Sequence, residues 1–212
     1  MKHQVQQIQV NREILLKGRE VFRENENELE AYIDELLGWN KKINLISRTV
    51  SRETLREHVV HSLLPLPLDL VSKHSKWIDS GSGGGLPGIP LAICRKNISW
   101  LLNDNVKKKM TAASQIINTL GLKNVGVISK SISLAEIEKG TGIVTKHAFK
   151  IPDLLRLLGS KPWKTIIMWK GVDGALEEIK KSGKGLNATI YEFNFGDEEP
   201  FYEGKGLVKI ER

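Results

Sequence analysis

The sequence predicts an α/β fold, a doubly wound and mostly parallel sheet preceded by a helical extension, and three observations carry that reading. From Trp77 onward, short β-rich runs alternate with amphipathic stretches. Between about residues 4 and 70 the apolar positions recur instead at helical spacing. The run Trp77-Ile78-Asp79-Ser80-Gly81-Ser82-Gly83-Gly84-Gly85-Leu86-Pro87-Gly88 then joins a buried strand, a glycine turn and a helix start in immediate succession.

Each element follows from its own pattern. Ile8, Ile14-Leu15, Val21-Phe22, Leu29, Ile33, Leu36-Leu37, Val59-Val60 and Leu63-Leu64 mark about three N-terminal helices. Asn44-Leu45-Ile46-Ser47 reads as the end of the second, and Pro65-Leu66-Pro67 closes the last because proline cannot continue a helix. Seven strands are expected: Trp77–Ser80, Ile98–Leu102, Val125–Ile128, Ile143–Thr145, Thr165–Lys170, Leu186–Phe195 and Leu207–Ile210. Helical patterns at Ile89–Arg95, Val106–Leu120 and Pro152–Leu158 separate the earlier ones. A polar loop over residues 196–206 makes the last pair a hairpin, so the final strand is antiparallel. The division expected is an extension over 1–72 and a Rossmann-like domain over 73–212.

Composition narrows the function. A chain of 212 residues can bury one sizeable core. A lone Cys94 in an apolar run excludes an internal disulfide framework and reads as a small buried hydrophobe. Met1-Lys2-His3-Gln4-Val5-Gln6-Gln7 has no signal-type apolar core, and no run is long enough to span a bilayer, so a cytoplasmic location is expected. Residues 77–171 carry 14 Lys+Arg against 5 Asp+Glu, whereas residues 1–76 carry 12 against 11. A polyanionic partner at the face of the glycine loop follows, the competing reading being lysines that merely solvate a surface.

The glycine run has two readings. Gly81, Gly83 and Gly85 form G-x-G-x-G after the acid Asp79, the form usual for S-adenosylmethionine, while Gly83, Gly85 and Gly88 form the dinucleotide pattern G-x-G-x-x-G. In both, glycine lets backbone approach a nucleotide, and the first helical N–H groups are expected to face the ligand. An acid on the ribose belongs about 20 residues further on, at the turn Leu101-Leu102-Asn103-Asp104-Asn105.

Beyond the glycines, Trp39-Asn40-Lys41 with Asn44-Leu45, then His58, Ser62-Leu63, Leu86-Pro87-Gly88-Ile89-Pro90-Leu91-Ala92-Ile93, Leu101-Leu102, Lys107-Lys108, Ala148-Phe149 and Lys170-Gly171 occur in order. In these pieces the chain resembles the bacterial small-subunit ribosomal RNA guanine-N7 methyltransferases, the RsmG or GidB family, over about residues 39–171. The resemblance implies a class I S-adenosylmethionine-dependent methyltransferase, Rossmann-like with a seven-stranded sheet, acting as a monomer on guanine N7 of 16S ribosomal RNA in the small subunit. It implies a cofactor site at Asp79, Gly81, Ser82, Gly83, Gly85, Leu86, Asn103, Asp104, Ile132, Ser133 and His147, and no metal. Since N7 carries a lone pair and no proton, no general base is expected, only positioning. Lys107, Lys108, Lys109, Lys146 and Lys170 are the expected RNA-side cations and Phe149 the stacking face, the competing readings being a solvated helix start for Lys107 to Lys109 and a core aromatic for Phe149.

The sequence departs from that family at four places: Asn103 replaces an acid, His61 an Asp, Ser131-Ile132-Ser133 an Arg-Ala-Glu, and Lys146-His147 a Ser-Arg. The losses at Asn103 and His147 imply weakened cofactor binding, with Asp104 able to compensate or, alternatively, to cap the next helix in an Asx turn. Together with Ser131-Ile132-Ser133 they motivate an alternative, a non-catalytic RNA- or ribosome-binding relative. A nicotinamide oxidoreductase is a third reading, less favoured by the acid before the glycines and the strand count.

Overall fold

The computed structural model describes residues 4–182 and 185–212. Met1, Lys2 and His3, where the extension was expected to begin, lie outside the described residues. The seven expected strands form as β2 (Lys76–Ser80), β3 (Ser99–Asn103), β4 (Val125–Ile128), β5 (Gly142–Lys146), β6 (Thr165–Gly171), β7 (Asn187–Asn194) and β8 (Lys205–Glu211). An eighth, β1 (Gln4–Asn11), is added at one edge, giving the order β1-β7-β8-β6-β5-β2-β3-β4. All pairings are parallel except those of β8, which runs antiparallel to both β6 and β7.

β1 corrects the sequence reading, which counted Ile8 toward a helix. The segment pairs residue for residue with β7, from Gln4 opposite Asn187 to Asn11 opposite Asn194. Val5, Ile8 and Val10 are β-branched, and Asn11 ends the strand by accepting from the Glu13 N–H at 3.2 Å as the N-cap of the first helix. A strand that gains its ladder from residues some 180 positions away leaves little local trace, so tertiary pairing overrode the spacing.

The helices are α1 (Arg12–Glu24), α2 (Glu26–Asn40), α3 (Arg52–Leu63), α4 (Gly88–Cys94), α5 (Lys107–Thr119), α6 (Ile151–Leu158) and α7 (Val172–Lys180). Residues 41–47 lie outside α2, which ends earlier than the sequence suggested. The period-2 alternation of the strands splits the core in two. Trp77, Trp100, Val144, Ile167 and Trp169 face a cluster built with α1 to α5. Their neighbours Ile78, Ile143, Ile166 and Met168 face α6 and α7. The extension therefore shares its core with one face of the sheet. Arg19 of α1 fixes it further, donating to Glu199 at 2.6 Å and to Glu57 of α3 at 3.3 Å, while the Tyr202 hydroxyl donates to Glu57 at 2.9 Å. Cys94 is half-buried, its thiol pushed up to about 12 by burial.

Candidate cofactor and RNA site

Strand order reverses at β2, which pairs with β3 on one side and β5 on the other. In open α/β sheets a crevice opens at such a switch point, beyond the carboxyl ends of the strands. A cavity of ≈ 790 Å³ lies there. Its walls come from the segments following β2 (Gly81–Gly84 and Leu86), β3 (Asn103–Val106 and Lys109), β4 (Lys130–Ile132) and β5 (Lys146–Phe149), and from the extension (Leu45, Ile46, Ser47, Val50, Leu55 and His58).

The glycine loop is held by backbone. The Asn103 carbonyl accepts from the N–H groups of Gly81 at 2.8 Å and Ser82 at 3.0 Å, and the Gly85 N–H returns to the Ser82 carbonyl at 2.8 Å. Gly81 has φ +74° and lies so close to β5's exit that an added Cβ would meet the Ala148 Cβ at 2.3 Å. At Gly83, φ +56°, a Cβ would find only the Leu45 carbonyl oxygen at 3.4 Å, leaving room for a ligand.

Asp79 does not line the cavity. It is fully buried, and its Oδ2 accepts from the Gly88 N–H at 2.9 Å, beneath the start of α4. Gly88 is needed there because a Cβ would strike Leu102 at 2.4 Å and Asp79 at 2.8 Å. The expectation that the first helical N–H groups face a ligand is thereby corrected: Gly88 donates to Asp79, and the Ile89 N–H donates to the Gly85 carbonyl. Burial raises the Asp79 carboxyl to about 7, opposed by the Gly88 hydrogen bond. Gly85 and Ser133 also lie outside the cavity wall; Gly85 turns over Ile89, and Ser133 bonds its neighbour Ser131.

The turn after β3 answers the question posed by Asn103. Its side chain is buried, donating from Nδ2 to the Lys130 carbonyl at 2.7 Å, a bond an Asp could not make. Asp104 supplies the carboxylate at the cavity wall, with Oδ1 accepting from Val106 N–H at 2.9 Å in an Asx turn and Oδ2 from Gly83 N–H at 3.2 Å. The Asx turn expected as one alternative for Asp104 forms, and it leaves the second carboxylate oxygen on the Gly83 N–H beside the cavity.

Of the expected RNA-side cations, two are corrected. Lys146 is buried, its Nζ donating to the His58 carbonyl at 2.7 Å and to Ser62 Oγ at 3.1 Å, and desolvation holds its pKa well below the usual lysine range. Lys170 turns inward to the Phe149 carbonyl at 3.0 Å and Glu178 at 2.8 Å. Net charge along a sequence cannot distinguish such lysines from solvated ones. Lys107 and Lys108 are exposed at the start of α5, and Lys109 and Phe149 line the cavity. His147 also lines it, at φ +58°, a left-handed conformation that non-glycine residues seldom adopt. Desolvation and the neighbouring Lys146 lower its imidazole to about 4, so it is neutral near pH 7. His61, fully buried, packs 6.4 Å from His147, and neither of its ring nitrogens has a partner among the described residues.

Sequence reading missed what the extension contributes. Tyr32 of α2 donates its hydroxyl to the Gly84 carbonyl at 3.0 Å. The Asn40 Oδ1 accepts from the N–H groups of Leu45 at 2.9 Å and Ile46 at 3.0 Å, and its Nδ2 donates to the Ser47 carbonyl at 3.1 Å. The Trp39-Asn40-Lys41 and Asn44-Leu45 pieces were the available signal: the buried asparagine folds the following loop into a cavity wall.

The cavity fits a nucleoside-bearing cofactor: Gly83 leaves space open, Ser82 lies on the wall beside it, and Asp104 stands on one wall near the apolar Val106 and Ile132. With its switch-point crevice and the antiparallel β8, the fold defines a class I S-adenosylmethionine-dependent methyltransferase. Solved structures agree on the fold. One is ribosomal protein L11 methylase from Lactobacillus delbrueckii subsp. bulgaricus, with TM-score 0.52 and 17% identity over 74% of this chain and 78% of that one. Another is the N-terminal domain of human METTL16 in complex with SAH, with TM-score 0.54 and 15% identity over 72% and 70%. Residues 25–186 match the family model GidB, rRNA small subunit methyltransferase G. Proteins named ribosomal RNA small subunit methyltransferase G are similar throughout: 33% identical in Chlorobium limicola over 100% of both chains, and 40% in Chlorobium luteolum over 84% of this chain and 78% of that one. The chain belongs to the rRNA small subunit methyltransferase G family.

Proposed function

We propose that this protein transfers a methyl group from S-adenosylmethionine to N7 of a guanine in 16S ribosomal RNA, acting as a cytoplasmic monomer on the small subunit. The observation that carries the reading is the cavity at the switch point, walled by both the glycine loop and the Leu45–Ser47 segment that the buried Asn40 of the family-matched region holds in place. The bound cofactor supplies an electrophilic methyl on a sulfonium. The protein's own residues bind and orient. Ser82, Gly83, Asp104, Val106 and Ile132 form the wall for the nucleoside, and Leu86 packs beside them. Phe149, half-buried at the rim, offers a face for the target base, with the neutral His147 beside it.

Guanine N7 needs no proton removed, which suits a site whose imidazoles are neutral and whose buried Asp79 lies behind the wall. Holding the reactants at about 3 to 3.5 Å in line is worth roughly 7 to 11 kcal/mol, so alignment alone supplies a large part of the acceleration. A non-catalytic role is not favoured: Asn103, one of the substitutions that motivated it, serves a buried hydrogen bond and leaves Asp104 on the wall. Incubation with radiolabelled S-adenosylmethionine and small subunits lacking the modification tests the reading. Label should enter 16S RNA and not the subunit proteins; tight subunit binding without transfer at saturating cofactor would favour the non-catalytic alternative.

A further inference from the structure

A second cavity, of ≈ 670 Å³, lies on the outer side of the extension's loop and is lined by Leu37, Asn40, Lys41, Lys42, Asn44, Arg48, Val50 and Arg52. Residues 41–52 contain four cations and no acid, although the first 76 residues are nearly balanced overall. Arg52 is committed, bonding Glu30 and Asp34 of α2. Lys41, Lys42 and Arg48 are exposed and make no ion pair among the described residues. Arg48 is aimed by the Asn44 side chain, whose Oδ1 accepts from Nε at 2.5 Å, and Lys42 lies 5.1 Å over the Trp39 ring. No carboxylate lines this cavity.

Two features make the patch more than a solvated surface. Asn40 fixes the loop with three hydrogen bonds, so the cations stand on a preorganised frame. The same loop is the partition between the two cavities: Leu45, Ile46 and Ser47 face the cofactor cavity, Lys41, Lys42 and Arg48 the outer one, and Val50 lines both. An anion seated here would sit next to a base held in the cofactor cavity.

We propose that Lys41, Lys42 and Arg48 form a phosphodiester-binding subsite that holds the rRNA strand beside the target guanine. The inference rests on the function proposed above and deepens it. It also moves part of the RNA contact out of the basic middle segment, where Lys146 and Lys170 are engaged internally, to a loop that net charge did not single out. A phosphate backbone fits better than an acidic protein segment because Arg and Lys here flank an open cavity of ≈ 670 Å³, with room for a nucleotide strand, on the loop that also walls the cofactor cavity.

The test is the triple variant Lys41→Ala, Lys42→Ala, Arg48→Ala beside a charge-retaining triple, Lys41→Arg, Lys42→Arg, Arg48→Lys. Binding to unmodified small subunits and to protein-free 16S RNA is measured across a salt series, and S-adenosylmethionine binding is measured separately. The alanine triple should weaken binding to both substrates at least tenfold and flatten the salt slope by about 0.7 to 0.9 for each phosphate that is no longer neutralised, with cofactor affinity unchanged and the charge-retaining triple close to wild type. Equal slopes for alanine triple and wild type would overturn the subsite. So would a loss confined to intact subunits, which points to a protein contact, or an equal loss of cofactor affinity, which makes the loop a wall only. Absence of methyl transfer by the wild type would sink the parent reading while leaving these binding slopes readable.

Discussion

The Tyr32 hydroxyl donates to the Gly84 carbonyl oxygen at 3.0 Å, so α2 directly holds the glycine loop that follows β2. Gly84 permits this approach, since a Cβ there would meet Leu36 at 2.4 Å. Tyr32→Phe leaves the Gly84 carbonyl unsatisfied while keeping the ring's packing. The expected cost is about 1 to 3 kcal/mol of stability together with weaker S-adenosylmethionine binding. Chemical denaturation and calorimetry on the same preparation read both; unchanged cofactor affinity would reduce the extension to a structural support.

Gly81 and Gly83 should respond differently to a side chain. Gly81→Ala forces a Cβ into Ala148 and should displace the segment after β5, lowering stability by several kcal/mol. Gly83→Val points into open cavity and should fold, with about 1 to 2 kcal/mol lost to its positive φ, while abolishing cofactor binding. Thermal melts with and without S-adenosylmethionine separate the two. A cofactor-induced shift retained by Gly83→Val would remove that glycine from the site.

Asn103→Asp, which the family pattern suggests as a gain, is expected to be a loss. The aspartate cannot donate to the Lys130 carbonyl and would face it with a buried negative charge. Stability should fall by about 1 to 3 kcal/mol at neutral pH, with no tightening of cofactor binding. Affinity improved tenfold would show that residue 103, and not Asp104, serves the ribose.

Asp79 should give stability an acid-side advantage. Its carboxyl titrates near 3.9 unfolded and about 7 folded, so the folded state favours the neutral form. The associated stability is fully present below about pH 4 and is lost as pH rises through 7, on the order of 4 kcal/mol across that window. Asp79→Asn should remove this slope and gain relative to wild type at pH 8. Parallel pH profiles for the two proteins would mean that folding leaves the Asp79 carboxyl at its unfolded value.

The strand and helix pattern from Trp77 onward, the antiparallel last strand and the glycine loop were legible because each has a local signature: period-2 apolar runs, turn residues and a strand feeding a helix. Of the cavity wall, Gly81, Ser82 and Gly83 were legible in the glycine run and the turn carrying Asn103 and Asp104 in its distance beyond the glycines, whereas Ile132 and His147 were expected only through the family resemblance. What escaped depends on distant partners. β1 owes its conformation to β7, Lys146 its burial to His58 and Ser62, and Tyr32 its role to Gly84. No window of sequence contains both members of these pairs.

Lys146 illustrates the difference in a form that salt can read. Lys146→Met replaces a buried, hydrogen-bonded amine and should leave the salt dependence of RNA binding unchanged, whereas Lys107→Ala with Lys108→Ala should flatten it by roughly 0.7 to 0.9 for each phosphate released. A flattened slope for Lys146→Met would return that lysine to the RNA face.

The central claim concerns a single atom, N7 of guanine. Small subunits lacking the modification, treated with the protein and S-adenosylmethionine, should yield 16S RNA that breaks at one guanine after borohydride reduction and aniline treatment, the behaviour of a ring opened by N7 methylation. Methyl incorporation without such scission, or scission spread over many guanines, would contradict it.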